Sequence, residues 1–290
     1  MDAVTGMELG VLYSNITGSF IFSLIFCLLF FRSKEKFLKS LAFFWGFSAL
    51  SFLAATAIYA GFFQPAAGIL YLAGVTAAGV YLLKGSYSFL GENVNKTWFL
   101  VGVIGLAAAL GAVIILETPE WSLILVMTYL GLAYLKSGIA FIKSSSTIIQ
   151  KVTGLAAALF AAGTILFPYV FQQEWFIPGG TIVLGGLGTL FGLGLVGSYY
   201  ENLQSENERL LEEYETIFNN VQSSIFLLDV NEENEVKFQR MNPREEELTG
   251  LKTEQVKGKT PGEVLGGKLG TKVEKNYKKC LRKREKIKYE

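Results

Sequence analysis

The chain has 290 residues, of which 51% are apolar and 18% are charged, and its formal net charge is +1. Residues 1–198 contain nine Lys or Arg and seven Asp or Glu, whereas the remaining 92 residues contain 17 and 18. The near-zero total averages a lipid-soluble part and a water-soluble part, so it says nothing about nucleic-acid or acidic partners. We expect no nucleic-acid partner. The two cysteines, Cys27 in an apolar segment and Cys280 in the charged part, do not form a disulfide framework.

Hydropathy divides residues 1–198 into long apolar segments. A helix needs about 20 apolar residues, each rising about 1.5 Å, to cross a bilayer core. Seven segments have this length, so the predicted fold of residues 1–198 is a multi-pass α-helical membrane bundle in contact with the lipid bilayer. The predicted spans are 11–31, 41–63, 66–83, 98–116, 121–142, 152–171 and 176–198.

Positive charge marks one side of this predicted bundle. The connections after spans one, three and five hold all the Lys and Arg that lie between spans, and the other connections hold none. The positive-inside rule therefore predicts a cytoplasmic (inner) membrane protein with its N-terminus outside and its C-terminus in the cytosol. The residues that set this orientation are Arg32, Lys34, Lys36, Lys39, Lys84, Lys96, Lys143 and Lys151.

Lys136 is the strongest candidate for a functional residue inside a predicted span. It lies about 22 Å along span five from Trp121, close enough to the cytosolic side for its amine to reach the interface. A role in ligand binding or in pairing within the bundle is the alternative. Span seven contains no Lys, which excludes a retinal Schiff base there. In layout, residues 1–198 resemble the seven-helix sensor regions at the N-termini of bacterial and archaeal signalling proteins.

Apolar residues continue beyond span seven at alternating spacings of three and four. This spacing keeps them on one face of a helix and predicts a signalling coiled coil over 199–222 that pairs in parallel with a second copy. Asn207 is the polar member of the face, and a polar core residue fixes the register of a coiled coil at some cost in stability. The predicted core residues are Val196, Tyr200, Leu203, Asn207, Leu210, Tyr214, Ile217 and Val221.

Residues 213–290 read as a helix, two strands, further helices and the start of a strand at 287–290. Asn242 and Pro243 are typical of a helix start, with Asn as the N-cap and Pro at the first helical position. The segment resembles the N-x-x-x-x-x-x-T-G … G-K pattern of PAS domains, which implies an α/β PAS domain that is incomplete at its C-terminus. The residues that carry this resemblance are Asn242, Pro243, Leu248, Thr249, Gly250 and Gly258.

The chain has no histidine. Haem with a His ligand, a phosphoacceptor His and a His-ligated metal site are therefore excluded from these residues, and the flavin-reactive Cys motif of light-sensing PAS domains is absent. No nucleotide-binding motif is present, so we expect no enzyme activity within this chain, and the cofactor, if there is one, is unknown.

These patterns predict a membrane-bound sensor that relays a stimulus through a dimeric helix and a PAS module. The resemblance implies a downstream output domain, either a histidine kinase or a diguanylate cyclase, or a response regulator as partner. A transporter or channel-like bundle with a regulatory PAS tail is the alternative.

Overall fold

The computed structural model describes residues 3–62, 64–115, 118–144, 147–170, 176–231 and 235–283. The chain divides into two compact units, Met1–Glu201 and Asn202–Glu290. The boundary falls inside one helix, so this helix contributes residues to both units.

The first unit is a bundle of long helices. Among the residues that the structure describes, seven helices are long and apolar enough to cross a membrane, as a multi-pass membrane protein requires, which confirms the predicted bundle of seven apolar helices. They are α1 (Ala3–Ser33), α2 (Lys36–Tyr59), α3 (Gln64–Phe89), α4 (Thr97–Ile114), α5 (Pro119–Ser144), α6 (Ile148–Val170) and α7 (Phe176–Asn220).

Several helices are longer than the apolar segments that predicted them. Helix α3, for example, continues to Phe89, six residues beyond the predicted span end at 83, and Lys84 lies within it. Hydropathy detects the part of a helix that is compatible with hydrocarbon, whereas backbone hydrogen bonding continues into the polar interface.

The surface of the bundle is apolar. Large aliphatic and aromatic side chains are exposed on most of its helices, an arrangement that water disfavours and lipid accepts. Examples are Phe20, Leu28, Leu100, Ile104, Leu159 and Ile182. Several hydroxyl groups inside the helices bond to their own backbone: Ser48 donates to the Phe44 carbonyl at 2.9 Å, and Thr76 donates to the Leu72 carbonyl at 2.9 Å.

Helices α5 and α6 cross at two glycines. A Cβ atom added to Gly138 would lie 2.6 Å from the Gly154 carbonyl oxygen, and one added to Gly154 would lie 2.7 Å from the Gly138 carbonyl oxygen. The two backbones are therefore in direct contact, which only residues without a side chain allow.

In its described residues, the second unit contains the C-terminal part of α7, two strands and four helices. Strands β1 (Phe226–Val230) and β2 (Val236–Met241) pair antiparallel, with an irregularity between Leu227 and Leu228. Phe238, Met241 and Val256 form its buried core. The helices are α8 (Pro243–Thr249), α9 (Thr253–Val256), α10 (Pro261–Leu265) and α11 (Gly267–Lys283). The strand predicted at 287–290 lies outside the described residues.

Candidate functional site

The predicted coiled-coil face of α7 is largely exposed in the single chain. Tyr200, Leu210 and Ile217 are 57%, 51% and 60% exposed. Leu203 is half-buried, and Asn207 is exposed. An apolar stripe of this kind is the surface that a coiled coil covers with its partner helix.

The C-terminal end of α7 lies slightly before the predicted one. The helix ends at Asn220, and the Val221 N–H still donates to the Ile217 carbonyl at 3.0 Å. Tyr214 is 41% exposed, although its ring stacks on Phe218 with 5.7 Å between the ring centroids. Val196, at the other end of the predicted face, is half-buried.

A second face of α7 contacts strand β2. The Arg240 guanidinium pairs with both carboxylate oxygens of Glu215 and lies 4.6 Å from the centre of the buried Phe218 ring. It also donates to the Asn219 side-chain oxygen at 3.3 Å. The hydrogen bonds from Arg240 lower the pKa of the Glu215 carboxyl below its usual value. Because the guanidinium pairs with both carboxylate oxygens and also lies against a ring, both its position and its orientation are fixed.

The two faces of the helix have different surroundings. Neighbouring residues of a helix point about 100° apart, so Phe218 is buried against the strands while Ile217 is exposed. The clamp formed by Arg240, Glu215 and Phe218 therefore leaves the predicted pairing face accessible.

Asn242 makes the hydrogen bonds that connect the segments of the PAS-like motif. It is fully buried, and its side-chain oxygen accepts from the backbone N–H groups of Ile225 and Glu245, both at 2.9 Å. Its side-chain nitrogen donates to the Ser223 carbonyl at 2.9 Å. As the sequence predicts, Asn242 caps α8 and Pro243 occupies the first turn. One amide thus joins the entry to β1, the end of β2 and the start of α8.

The two glycines of the motif have backbone conformations that side chains disfavour. Gly250 ends α8 with φ of 71°, and Gly258 has φ of 79°. The Gly258 N–H donates to the Phe238 carbonyl at 2.8 Å, which pairs this turn with β2. The Thr249 hydroxyl donates to the Glu245 carbonyl at 2.7 Å, whereas Leu248 is exposed.

Glu246 connects α8 to α9. Its carboxylate accepts from the Thr253 N–H at 2.9 Å and from the Lys252 amine at 3.0 Å. These hydrogen bonds, chiefly the one from the Thr253 backbone, lower the pKa of Glu246 to about 2.

Lys136 lies between aromatic rings. Its amine is 5.3 Å from the centre of the Tyr87 ring and 5.1 Å from that of the Trp98 ring. Cation–π attraction therefore holds the charge beside the first turn of α4. Trp98 is the type of residue that occupies membrane interfaces, so this position is compatible with an amine that reaches the interface.

The first unit contains a cavity of about 340 Å³. Helices α1, α2, α3, α5, α6 and α7 all contribute to its walls, and α4 does not. Ligand pockets have volumes of about 300–1,000 Å³. The size and the number of contributing helices make it the strongest candidate for a ligand site in the described part of the bundle.

Aromatic rings form two pairs on the cavity wall. Phe22 of α1 stacks on Trp45 of α2 with 4.7 Å between centroids, and Tyr134 of α5 lies 4.6 Å from Phe160 of α6. Trp45 is 6% exposed, and its Nε1 has no hydrogen-bond partner in the part of the chain that the structure describes. A buried N–H without a partner is costly, more so at membrane depth.

The sequence predicted a PAS-like motif and a pairing face, which stay predictions, but it did not predict the cavity or the clamp. Glu215 and Arg240 are 25 positions apart in sequence, and no local pattern connects them. Cavity residues come from six helices, and only their apolar or small character is visible in the sequence. Compared with known protein families, with curated proteins and with solved structures, the chain matches none of them.

Proposed function

We propose that this protein is a membrane-bound sensor for signal transduction. In this proposal the seven-helix bundle receives a stimulus, α7 carries it out of the membrane, and residues 213–290 act as a PAS module. The module regulates an output domain, such as a histidine kinase or a diguanylate cyclase, or a response regulator.

The observation that carries the proposal is the continuity of α7. One helix, Phe176–Asn220, lines the cavity with Gly185 and Gly188 and pairs through Glu215 with the strand that contains Arg240. A rotation or a shift of a continuous helix is transmitted along its length, because the backbone hydrogen bonds of every turn resist local deformation.

The contacts around Asn242 support the PAS part of the proposal. The buried amide joins β1, β2 and α8, and Gly250 and Gly258 occupy turns with positive φ. These are the physical requirements that explain why the motif needs Asn and Gly at these positions.

A parallel homodimer is part of the same proposal. The heptad face of α7 is apolar and exposed, and a second copy of the same face has the matching spacing. Asn207 would pair with Asn207 of the second copy and set the register.

Cysteine crosslinking of the full-length chain in native membranes tests the pairing. On a background of Cys27→Ser and Cys280→Ser, disulfide yield should be high for Asn207→Cys and Leu210→Cys, and low for the control Glu208→Cys on the opposite side of the helix. Equal yields at all three positions would refute a coiled coil.

A change inside the bundle tests the relay. Gly185→Leu places a side chain in the cavity, where the nearest atom to an added Cβ, Asn15 Oδ1, is 3.6 Å away. The control Gly105→Leu on α4 adds the same side chain where nothing lies within 4 Å and outside the lining of this cavity. The first variant should alter the crosslinking yield of Asn207→Cys and the second should not. If neither alters it, the bundle does not communicate with the helix, and a transporter with a regulatory tail becomes the better proposal.

Two cysteine variants test the orientation. Lys143→Cys should be protected from a membrane-impermeant thiol reagent in intact cells, and Glu117→Cys should react. The opposite labelling would place the second unit outside the cytosol.

A further inference from the structure

Lys136 carries a half-buried positive charge at the meeting point of α3, α4 and α5. We propose that its amine binds the phosphate group of a membrane phospholipid. The rings of Tyr87 and Trp98 hold the amine in place, and the phosphate supplies the opposite charge. The bound lipid is a structural one, so the proposal is independent of the sensor function and of the side of the membrane that the site faces.

The charge of Lys136 is uncompensated within the described part of the chain. In that part its amine has no carboxylate at salt-bridge distance and donates no hydrogen bond. A half-buried charge in a membrane bundle is costly unless an opposite charge compensates it. The two cation–π contacts reduce this cost, but two rings face at most two of the three N–H bonds of an ammonium group. At least one N–H therefore remains for an anionic acceptor.

The two rings place the amine at the depth of the lipid headgroups. Tyr87 lies two residues before the end of α3 at Phe89, and Trp98 is the second residue of α4. Tyr and Trp are enriched at the boundary between hydrocarbon and water, which is also where lipid phosphates lie. The connection between α3 and α4 is polar and exposed, as expected just outside this boundary. Its exposed polar residues are Glu92, Asn93, Asn95 and Lys96.

The face of α5 that carries Lys136 is turned towards lipid. Leu132 and Ile139 lie one turn to either side of Lys136 on this face, and both are exposed. Leu100 of α4, two residues after Trp98, is exposed as well. Apolar side chains at these positions suit acyl chains, which extend from the phosphate into the hydrocarbon region. A cation beside such a surface matches a phospholipid, which has both an anionic and an apolar part, better than a free anion.

The donor at this site is the lysine and not the N-terminus of α4. The Thr97 N–H already donates to the Asn95 side-chain oxygen at 3.0 Å, and the Trp98 N–H donates to the Asn95 carbonyl at 3.0 Å. These backbone groups are therefore occupied. Recognition of the phosphate depends on the ammonium group, which makes substitution of Lys136 a direct test.

Three probes test the proposal on the full-length chain in detergent micelles. Dioleoylphosphatidylglycerol carries a phosphate and two acyl chains, dioleoylglycerol has the same chains without the phosphate, and inorganic phosphate has no chains. Native mass spectrometry measures the dissociation constant of the first bound lipid. Inorganic phosphate is added as a competitor at the concentration of the lipid.

We expect dioleoylphosphatidylglycerol to bind about 10-fold or more tightly than dioleoylglycerol, which is the effect of one hydrogen bond between charged groups. Lys136→Leu should remove this difference, and so should Lys136→Gln, a second uncharged variant that keeps a polar side chain. Lys136→Arg should retain most of it, because Arg also pairs with phosphate. The matched control is Lys143→Leu, which removes an exposed lysine two turns further along the same face of α5. The loss of an exposed charge should weaken binding no more than about threefold.

Each opposite result overturns a defined part of the proposal. Equal affinity of the natural protein for the two lipids, or a difference that survives in the Leu and Gln variants of Lys136, would exclude the pairing of this amine with phosphate. Equal losses in Lys136→Leu and Lys143→Leu would indicate a general attraction between charges and no defined site. Displacement of the lipid by inorganic phosphate would assign the site to a free anion. These assays contain no readout of signalling or orientation, so their failure is distinct from failure of the crosslinking and labelling tests.

Discussion

The contact between α6 and α7 at Gly194 allows a sharp test of how tightly α7 is packed against α6. A Cβ atom added to Gly194 would lie 2.9 Å from Thr153 Cβ and 3.1 Å from Thr153 Cγ2, and closer still to the hydroxyl. Thr153 is fully buried, and its hydroxyl donates to the Ile149 carbonyl at 2.7 Å. Because Thr branches at Cβ, rotation about χ1 exchanges the γ atoms but leaves the Cβ contact. Gly194→Ala must therefore push the two helices apart.

The neighbouring variant Gly186→Ala provides the control. It lies on the same helix, and nothing lies within 4 Å of an added Cβ. Both substitutions gain about 1 kcal/mol of helix propensity, so this contribution cancels in the comparison. Overpacking costs about 1–3 kcal/mol, and Gly194→Ala should be less stable than Gly186→Ala by that amount.

Thermal unfolding of the full-length chain in nanodiscs, followed by tryptophan fluorescence, measures the difference. A difference of 1 kcal/mol corresponds to about 2–4 °C in Tm for a unit of this size. Adding Thr153→Ala to Gly194→Ala removes two of the three close atoms and should restore part of the loss. Equal Tm values for Gly194→Ala and Gly186→Ala would refute the close packing of α6 on α7.

Three further predictions concern other parts of the chain. Lys136→Leu should insert and express normally and lose about 1–2 kcal/mol, the value of cation–π contacts at a half-buried site; loss of the crosslinking signal in well-inserted protein would instead indicate a ligand role. Glu246→Gln should remove the pH dependence of folding stability that comes from this carboxyl. Because its pKa is lowered in the folded state, the charged carboxylate stabilises the fold fully above pH 4.5, and the stabilisation disappears as the pH falls towards 2. Hydrogen exchange of the amide of Thr253, corrected for intrinsic rates at each pH, should show this loss in the natural protein and not in the variant. Asn207→Leu should increase the dimer fraction in sedimentation because it replaces a polar core residue with an apolar one, and a decrease would contradict the predicted register.

The sequence predicts those structural features that depend only on residues close together in the chain. Seven spans follow from hydropathy, and the capped start of α8 follows from Asn242 and Pro243, because both features need only local residue types. Helix ends are less well predicted, since α3 continues to Phe89 through a polar segment. The pairing role of α7 stays a prediction, as do the orientation and the PAS assignment.

The surroundings of Lys136, the Arg240 clamp and the cavity could not be predicted because the residues that form each of them are distant in sequence. Tyr87 and Trp98 surround the Lys136 amine from two other helices, and the Arg240 clamp joins residues 25 positions apart. Likewise, a cavity is a property of side-chain packing among several helices. It becomes visible only when the direction of each side chain is known.

The crossing of α5 and α6 has a mechanical consequence for the bundle. Sliding one helix along the other would bring Ile142 or Ala157, each already within 3.3 Å of an added glycine Cβ, into a space that accepts only backbone. The glycines of α7, in contrast, face side chains of the neighbouring helices, namely Phe22, Phe160 and Thr153. The α5–α6 crossing therefore resists sliding through backbone contact, whereas a displacement of α7 would meet side chains.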